Sequence, residues 1–366
     1  WLLPSVKFGR AHSLDPVGVL LASGGLAALV FALIEGQRYH WGTFNDTLAF
    51  DAGGGHFGLI SIPALFVLSG VLLALFVAWE RGQSEPLVPL SLFKERNFAI
   101  GNALSAIVSF GMLGLFLPLT IFLQSVLGFS ALKAGLTFAP MSLVSMVVAP
   151  ISGRMTDRFG GKYILMAGLT LFAIGMGLVI AISTLSSSEV SYILPLIVAG
   201  IGLGCTFAPM TTVTMRRVDP RLAGAASGIL NTIRQLGGAF GSAIVGAILQ
   251  NRLAAELVSQ AQVQAANVPA PYRAQFIQGF ASAGNGVLEV GRGQSGVALP
   301  SGLPPQAVAK IGQVAHDVFA NAYLNAMRPG LAVPIGVLMV GALMTTMIVR
   351  RKNQVQPARQ AAAVTG

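Results

Sequence analysis

AGLTFAPMSLVSMVVAPI (Ala134–Ile151), then GRMTDRFGGKYIL (Gly153–Leu165), then the run that continues through Leu185 decide the fold of this chain. Two nearly uncharged apolar runs are joined by a short segment holding Arg154, Asp157, Arg158 and Lys162. A helix needs about 17–25 mostly apolar residues to cross a bilayer. Both runs, Ala134–Ile151 and Tyr163–Leu185, meet that length. A short basic turn between two such helices belongs at the cytoplasmic surface, because Lys and Arg resist translocation.

Working outward, the same reading gives six more spans: Val17–Ile34, Phe57–Trp79, Phe98–Gln124, Tyr192–Val213, Ala223–Leu249 and Leu331–Val349. The expected fold is therefore all-α, a polytopic membrane protein with eight transmembrane helices. Composition agrees: 54% of the 366 residues are hydrophobic and only 10% charged, against about 25% charged in soluble domains. That balance excludes a cytosolic enzyme, a secreted domain and a disordered chain. Net charge is +10, but a nucleic-acid binder would carry its basic stripe on a polar surface. Here the excess follows the membrane. Arg154, Arg158 and Lys162, Arg216, Arg217 and Arg221, and Arg350, Arg351 and Lys352 fall on one side together with Lys7, Arg10, Arg81, Lys94, Arg96 and Arg359. The short loops opposite hold only Arg38 and Lys133. Both ends come out cytoplasmic, and residues 250–329 form a long outside loop. Within that loop Val308, Ile311, Val314, Val318 and Ala322 lie at helical spacing and predict an outside helix that leads into span eight and packs over the bundle. The chain starts at Trp1, and WLLPSVKFGRAH has no signal-peptide order. It reads as an internal loop cut open.

Catalysis finds no support in the residues. Cys205 is the single cysteine, and His12, His40, His56 and His316 lie outside the spans without ligand spacing. His40 and His56 share a loop with Asp46 and Asp51, which leaves a metal site only as a remote option. GAASG (Gly224–Gly228) has the look of an intramembrane serine-protease motif, but no span supplies the histidine base that a serine nucleophile needs. The pairs Gly200/Gly204, Gly224/Gly228 and Gly237/Gly241 are expected to allow close helix packing. GIGLG (Gly200–Gly204) follows no strand and is no phosphate loop. Asn102 and Gln124 near the ends of span three are expected to be packing or interface residues. TFAPM occurs at Thr137–Met141 and Thr206–Met210, and both are expected to be proline-kinked helices.

Two constellations point to function. In the cytoplasmic turn, Gly153 and Gly160 allow a tight bend. Asp157 can accept from a neighbouring helix N-terminus, and Arg158 and Lys162 can reach loop carboxylates or carbonyls. In span seven, Ser227, Asn231, Arg234/Gln235, Gly238 and Ser242 recur on one face, with Ile229, Ile233, Leu236, Phe240 and Ile244 on another. Lipid offers a polar stripe no hydrogen-bond partner, so this face meets protein or water. Arg234 lies about 16 Å along the helix from Ala223. No Asp or Glu occurs inside the eight spans, so its partner is a backbone carbonyl, a residue of a part of the protein absent from this sequence, or cargo. The alternative is a shallower helix with Arg234 snorkelling to the cytoplasmic surface.

The spacing G-x-x-x-D-R-x-G-x-K resembles the loop signature of the major facilitator superfamily, with Gly161 where that pattern usually has a basic residue. VDPRLAGAASGILNTIRQLGGAFGSAIVGAIL (Val218–Leu249) is similar to the corresponding helix of the fourteen-span drug:proton antiporters, and ALIEGQRYHWG (Ala32–Gly42) to their first linker helix. The resemblance implies that residues 1–97 are a lead-in with two linker helices and residues 98–366 the C-terminal six-helix half, with an N-terminal six-helix half absent. It implies a part of a proton-coupled multidrug efflux transporter working by alternating access in the bacterial inner membrane. Gly153, Asp157, Arg158, Gly160 and Lys162 would lock a cytoplasmic gate. Ser227, Asn231, Arg234 and Gln235 would line the substrate or ion pathway. No catalytic residue, cofactor or metal is implied beyond the proton gradient. The implied partners are the missing half, the bilayer and an amphipathic small molecule, with no nucleic acid. Alternatives are an exporter of a metabolite, lipid or siderophore, or a membrane scaffold or sensor.

Overall fold

The computed structural model describes residues 15–36, 39, 41–42, 49–52, 55–58, 61–83, 86–283 and 305–349. Lys7, Arg10, His12, Arg38, His40, Asp46, Arg350, Arg351, Lys352 and Arg359 lie outside them. Among the described residues 8 helical segments are long and apolar enough to cross a membrane, and each falls on one of the expected spans. They begin with α1 (Pro16–Glu35), α2 (Ile62–Glu80) and α3 (Arg96–Ile121). Span four is α4 (Ala131–Thr137) plus α5 (Ala139–Phe159), and span five is α6 (Gly161–Ile182). Span six is α7 (Ile193–Gly204) plus α8 (Phe207–Met215). Span seven lies in α9 (Ala223–Gln264), α10 (Arg273–Ala283) follows it, and span eight lies in α11 (Pro305–Met344).

The two TFAPM segments mark the two interruptions. Proline cannot donate to the carbonyl four residues back, and each helix stops and restarts just before Pro140 and Pro209. In both, the threonine turns its hydroxyl onto the preceding turn: Thr137 Oγ1 donates to the Lys133 carbonyl at 2.9 Å and Thr206 Oγ1 to that of Gly202 at 2.7 Å. The two breaks belong to neighbouring helices, since α5 packs along α7.

Three expectations need correction. Span two starts at Ile62 rather than Phe57, because Ser61 accepts from the Ala64 amide and Pro63 favours the first turn. Phe57 belongs instead to a small antiparallel hairpin of β1 (Ala49–Ala52) and β2 (Gly55–Gly58). Spans seven and eight do not end at the bilayer. At 42 and 40 residues, α9 and α11 run about 60 Å each, twice the roughly 30 Å of hydrocarbon. Beyond Leu249 the sequence turns from apolar to amphipathic, and Leu253, Leu257 and Ala261 keep the helical period. Those residues close with Phe276, Phe280, Ile311, Val314, Val318 and Ala322 into a core. The outside helix expected at 308–322 is thus the first half of α11, with Val308 left exposed. Much of the outside loop 250–329 is helical. Longer helices also take in acids, among them Glu80, which is 5% exposed and accepts from the Leu87 amide at 3.0 Å.

At the centre lies α3, packed on α9, α11 and α8. Backbones approach closely along α9: a Cβ on Gly237 or Gly241 would collide with the carbonyls of Ala106 or Phe110. Tyr323 of α11 is fully buried, and its hydroxyl donates to the Pro118 carbonyl at 2.8 Å. The α1–α2 hairpin is joined by Ser69 Oγ donating to Gly25 O at 2.8 Å. It leans on α9 through Leu33, Ala239 and Ala243.

Candidate functional site

The expected cytoplasmic loop is almost no loop. Helix α5 runs on through Gly153, Asp157 and Arg158 to Phe159, and α6 begins at Gly161. The whole reversal falls on Gly160, whose φ of 86° is the left-handed region that glycine tolerates. Gly153 therefore makes no bend. It sits inside α5 facing Ala208, whose Cβ would be 3.8 Å from a Cβ placed on it. At Gly161 a Cβ would lie 2.6 Å from Val213 Cγ2, so α8 leaves no room for the basic side chain usual there.

The charges of this turn divide. Lys162 Nζ donates to the Thr346 carbonyl at 2.5 Å, at the C-terminal end of α11, where a cation also meets the negative end of the helix dipole. Asn97 binds the same region twice, accepting from the Val349 amide at 3.0 Å and donating to its carbonyl at 3.2 Å. Sequence reasoning missed Asn97, since its partner is 252 residues away. Arg158 lies over the Phe159 ring, 5.2 Å from its centre. Asp157 is exposed. Its side chain meets no donor among the described residues, so the helix N-terminus expected to face it is not found there.

On α9 the polar stripe is present but shorter than expected. Asp219 accepts from the Arg221 amide at 2.9 Å and Pro220 starts the first turn. Ser227, Asn231, Arg234 and Gln235 are all exposed. Gly238 is buried against Leu113, and Ser242 is half-buried with its hydroxyl on Ala239 O at 3.0 Å. The reason is a helix crossing: α3 packs under Ala226 and Ile229 at the start of α9, then passes over Gly237, Gly238 and Gly241. The other face is mixed for the same reason, with Ile229 at 6% exposure but Phe240 at 38% and Ile244 at 41%. Gly224 and Gly228 meet nothing: a Cβ on either would have open space around it. Close packing within the chain accounts for Gly200, against Met141, and Gly204, against Val148. It does not account for Gly224/Gly228.

Arg234 has a partner within its own helix, the neutral amide of Asn231, rather than a backbone carbonyl. Its Nη2 donates to Asn231 Oδ1 at 2.6 Å, a contact that the i, i+3 spacing makes possible. Asn102 is 2% exposed, donates to Phe98 O at 2.9 Å and, among the described residues, leaves its Oδ1 without a partner. Gln124 is half-buried in a π-helical turn, Phe122–Val126. His56 pairs through its backbone with Asp51, and among the described residues no group of His, Cys, Asp and Glu could hold a metal.

Comparison with known proteins gives these features a family. The sequence pattern described as Major Facilitator Superfamily matches residues 8–242. The chain is 33% identical over 258 residues to an uncharacterized MFS-type transporter of Mycobacterium tuberculosis, covering 70% of this chain and 42% of that one. It is 32% identical over 250 residues to the multidrug resistance protein Stp of the same organism, with 68% and 43% covered. With the puromycin resistance protein of Streptomyces alboniger it shares 31% over 265 residues, with 72% and 49% covered. The chain thus spans less than half the length of these relatives. A solved bacterial homologue of the human lysosomal transporter Spinster, inward-facing and occupied, matches the fold with a TM-score of 0.50 at 16% identity, covering 91% of this chain and 65% of that one. Eight apolar helices, the G-x-x-x-D-R-x-G-x-K turn and a family match over residues 8–242 make this a multi-pass membrane protein that belongs to the major facilitator superfamily, a family of transporters.

Proposed function

We propose that this chain is the linker pair (residues 1–97) and C-terminal half (residues 98–366) of a fourteen-span efflux transporter of the bacterial inner membrane. It exports amphipathic small molecules in exchange for protons, driven by the proton gradient, by alternating access, with both ends of the chain cytoplasmic. One observation carries the reading. Helix α9 packs on α3 through Ala226, Ile229 and Gly237 yet leaves Gly224, Ser227, Gly228, Asn231, Arg234 and Gln235 open. Hydrocarbon is a poor solvent for such a face, and a six-helix half supplies only one wall of a two-walled pathway. The N-terminal half is the proposed second wall. Asp157 and Arg158, exposed beside the anchored Lys162, are the contacts through which the closed gate would meet it. The names of the relatives, multidrug and puromycin resistance proteins, support drugs over a metabolite, lipid or siderophore as cargo.

The test is efflux from cells lacking their own pumps, with the full-length gene expressed. Accumulated dye should fall, and a protonophore should restore it. Unchanged accumulation at normal membrane levels of the protein would overturn the reading in favour of a scaffold or sensor.

A further inference from the structure

This inference rests on the transport reading and deepens it to a class of cargo. On the open face of α9 the one charged side chain past the first turn is Arg234, and Asn231 occupies one of its five N–H donors. The groups beside it, Ser227, Asn231 and Gln235, are neutral. Among the described residues no carboxylate pairs with Arg234. Among the described residues of α3 to α8, acids stand only at the two ends: Asp157 in the last turn of α5, and Glu189, which pairs with Lys133 at 3.0 Å. Glu256, the one acid of α9, lies 22 positions beyond Arg234, about 33 Å along the helix, and binds Asn325 at 3.2 Å.

A cationic amphiphile placed on this wall would meet a like charge and nothing to neutralise its own. An anion would meet a planar guanidinium fork, the geometry that suits carboxylates and other delocalised oxyanions. We infer that the cargo recognised by this half is an amphiphile with an anionic, planar polar end, a carboxylate or phenolate, held by Arg234 with Gln235 and Ser227 as neutral donors. The expected cargo is thus the opposite in sign to a lipophilic cation.

Two dyes built on the same ring system test this in proteoliposomes of the full-length protein: fluorescein, an anion, and rhodamine 6G, a cation. The ratio of kcat/KM for fluorescein to that for rhodamine should fall at least about tenfold in Arg234→Gln and further in Arg234→Glu. Equal loss of both dyes in Arg234→Gln, at normal protein levels, would overturn the proposal. It would mean that a carboxylate of another segment neutralises Arg234, or that the arginine serves only the gate. A wild-type preference for rhodamine, or movement of labelled phospholipid but neither dye, would overturn it too. In all these outcomes transport itself stands. Wild-type protein moving no probe would defeat the transport reading along with this one.

Discussion

Helix α9 carries the same motif twice, with opposite fates. Gly237 and Gly241 press against the backbone of α3, so closely that one added carbon at either would strike a carbonyl. Gly224 and Gly228, with the same spacing three turns earlier, touch nothing. The spacing of small residues says that a helix can be approached closely. It does not say by what. The closed pair is a seam between α9 and α3. The open pair, lying among Ser227, Asn231, Arg234 and Gln235, is the surface that the proposed function assigns to a second element.

Substitution of the two pairs should separate them most sharply. Gly241→Leu forces a branched side chain into the Phe110 carbonyl and should destabilise the protein by about 3 kcal/mol or more, at the upper end of overpacking. Thermal unfolding of the detergent-solubilised protein would read it, and an unchanged midpoint would break the comparison. Gly228→Leu should leave the unfolding midpoint and membrane level near wild type while full-length efflux falls at least about tenfold, if a second helix must come close there. Normal efflux would show that the open pair faces lipid.

The turn at Gly160 repeats the contrast at smaller scale. Lys162 is engaged by the Thr346 carbonyl, and among the described residues Asp157 meets no donor. Asp157→Ala should slow efflux without shifting stability, since no contact among the described residues is lost. Lys162→Met should cost about 1–2 kcal/mol, the worth of one charged hydrogen bond, with a smaller effect on turnover. Equal stability losses in the two variants would erase the distinction.

What was legible in the sequence follows from what drives each feature. The eight spans could be read because burial in lipid selects for long uncharged runs. The two TFAPM breaks were legible because proline acts locally. The helical continuation past Leu249 was hidden by mean hydropathy, which drops where Gln and Asn enter, although the spacing of Leu253, Leu257 and Ala261 signals it. The polar stripe of α9 was legible from Ser227 to Gln235. Its loss at Gly238 was not, because it depends on where α3 crosses, and crossings are tertiary. For the same reason nothing local could link Lys162 to Thr346, or Asn97 to Val349, or tell the open glycine pair from the closed one. The Asn231 partner of Arg234 lies at the i, i+3 spacing that a helix brings together, and so is local to the sequence.

The central claim is that the open face of α9 lines the transport pathway, and a single cysteine tests it most directly. In full-length protein with Cys205→Ser, Asn231→Cys would be exposed to a membrane-impermeant maleimide from the cytoplasmic side, with and without an exported dye. The account predicts labelling that the dye slows in proportion to its occupancy. Absence of labelling from either side, or labelling that no transported compound alters, would contradict it and leave the stripe as a buried seam or an outer surface of the bundle.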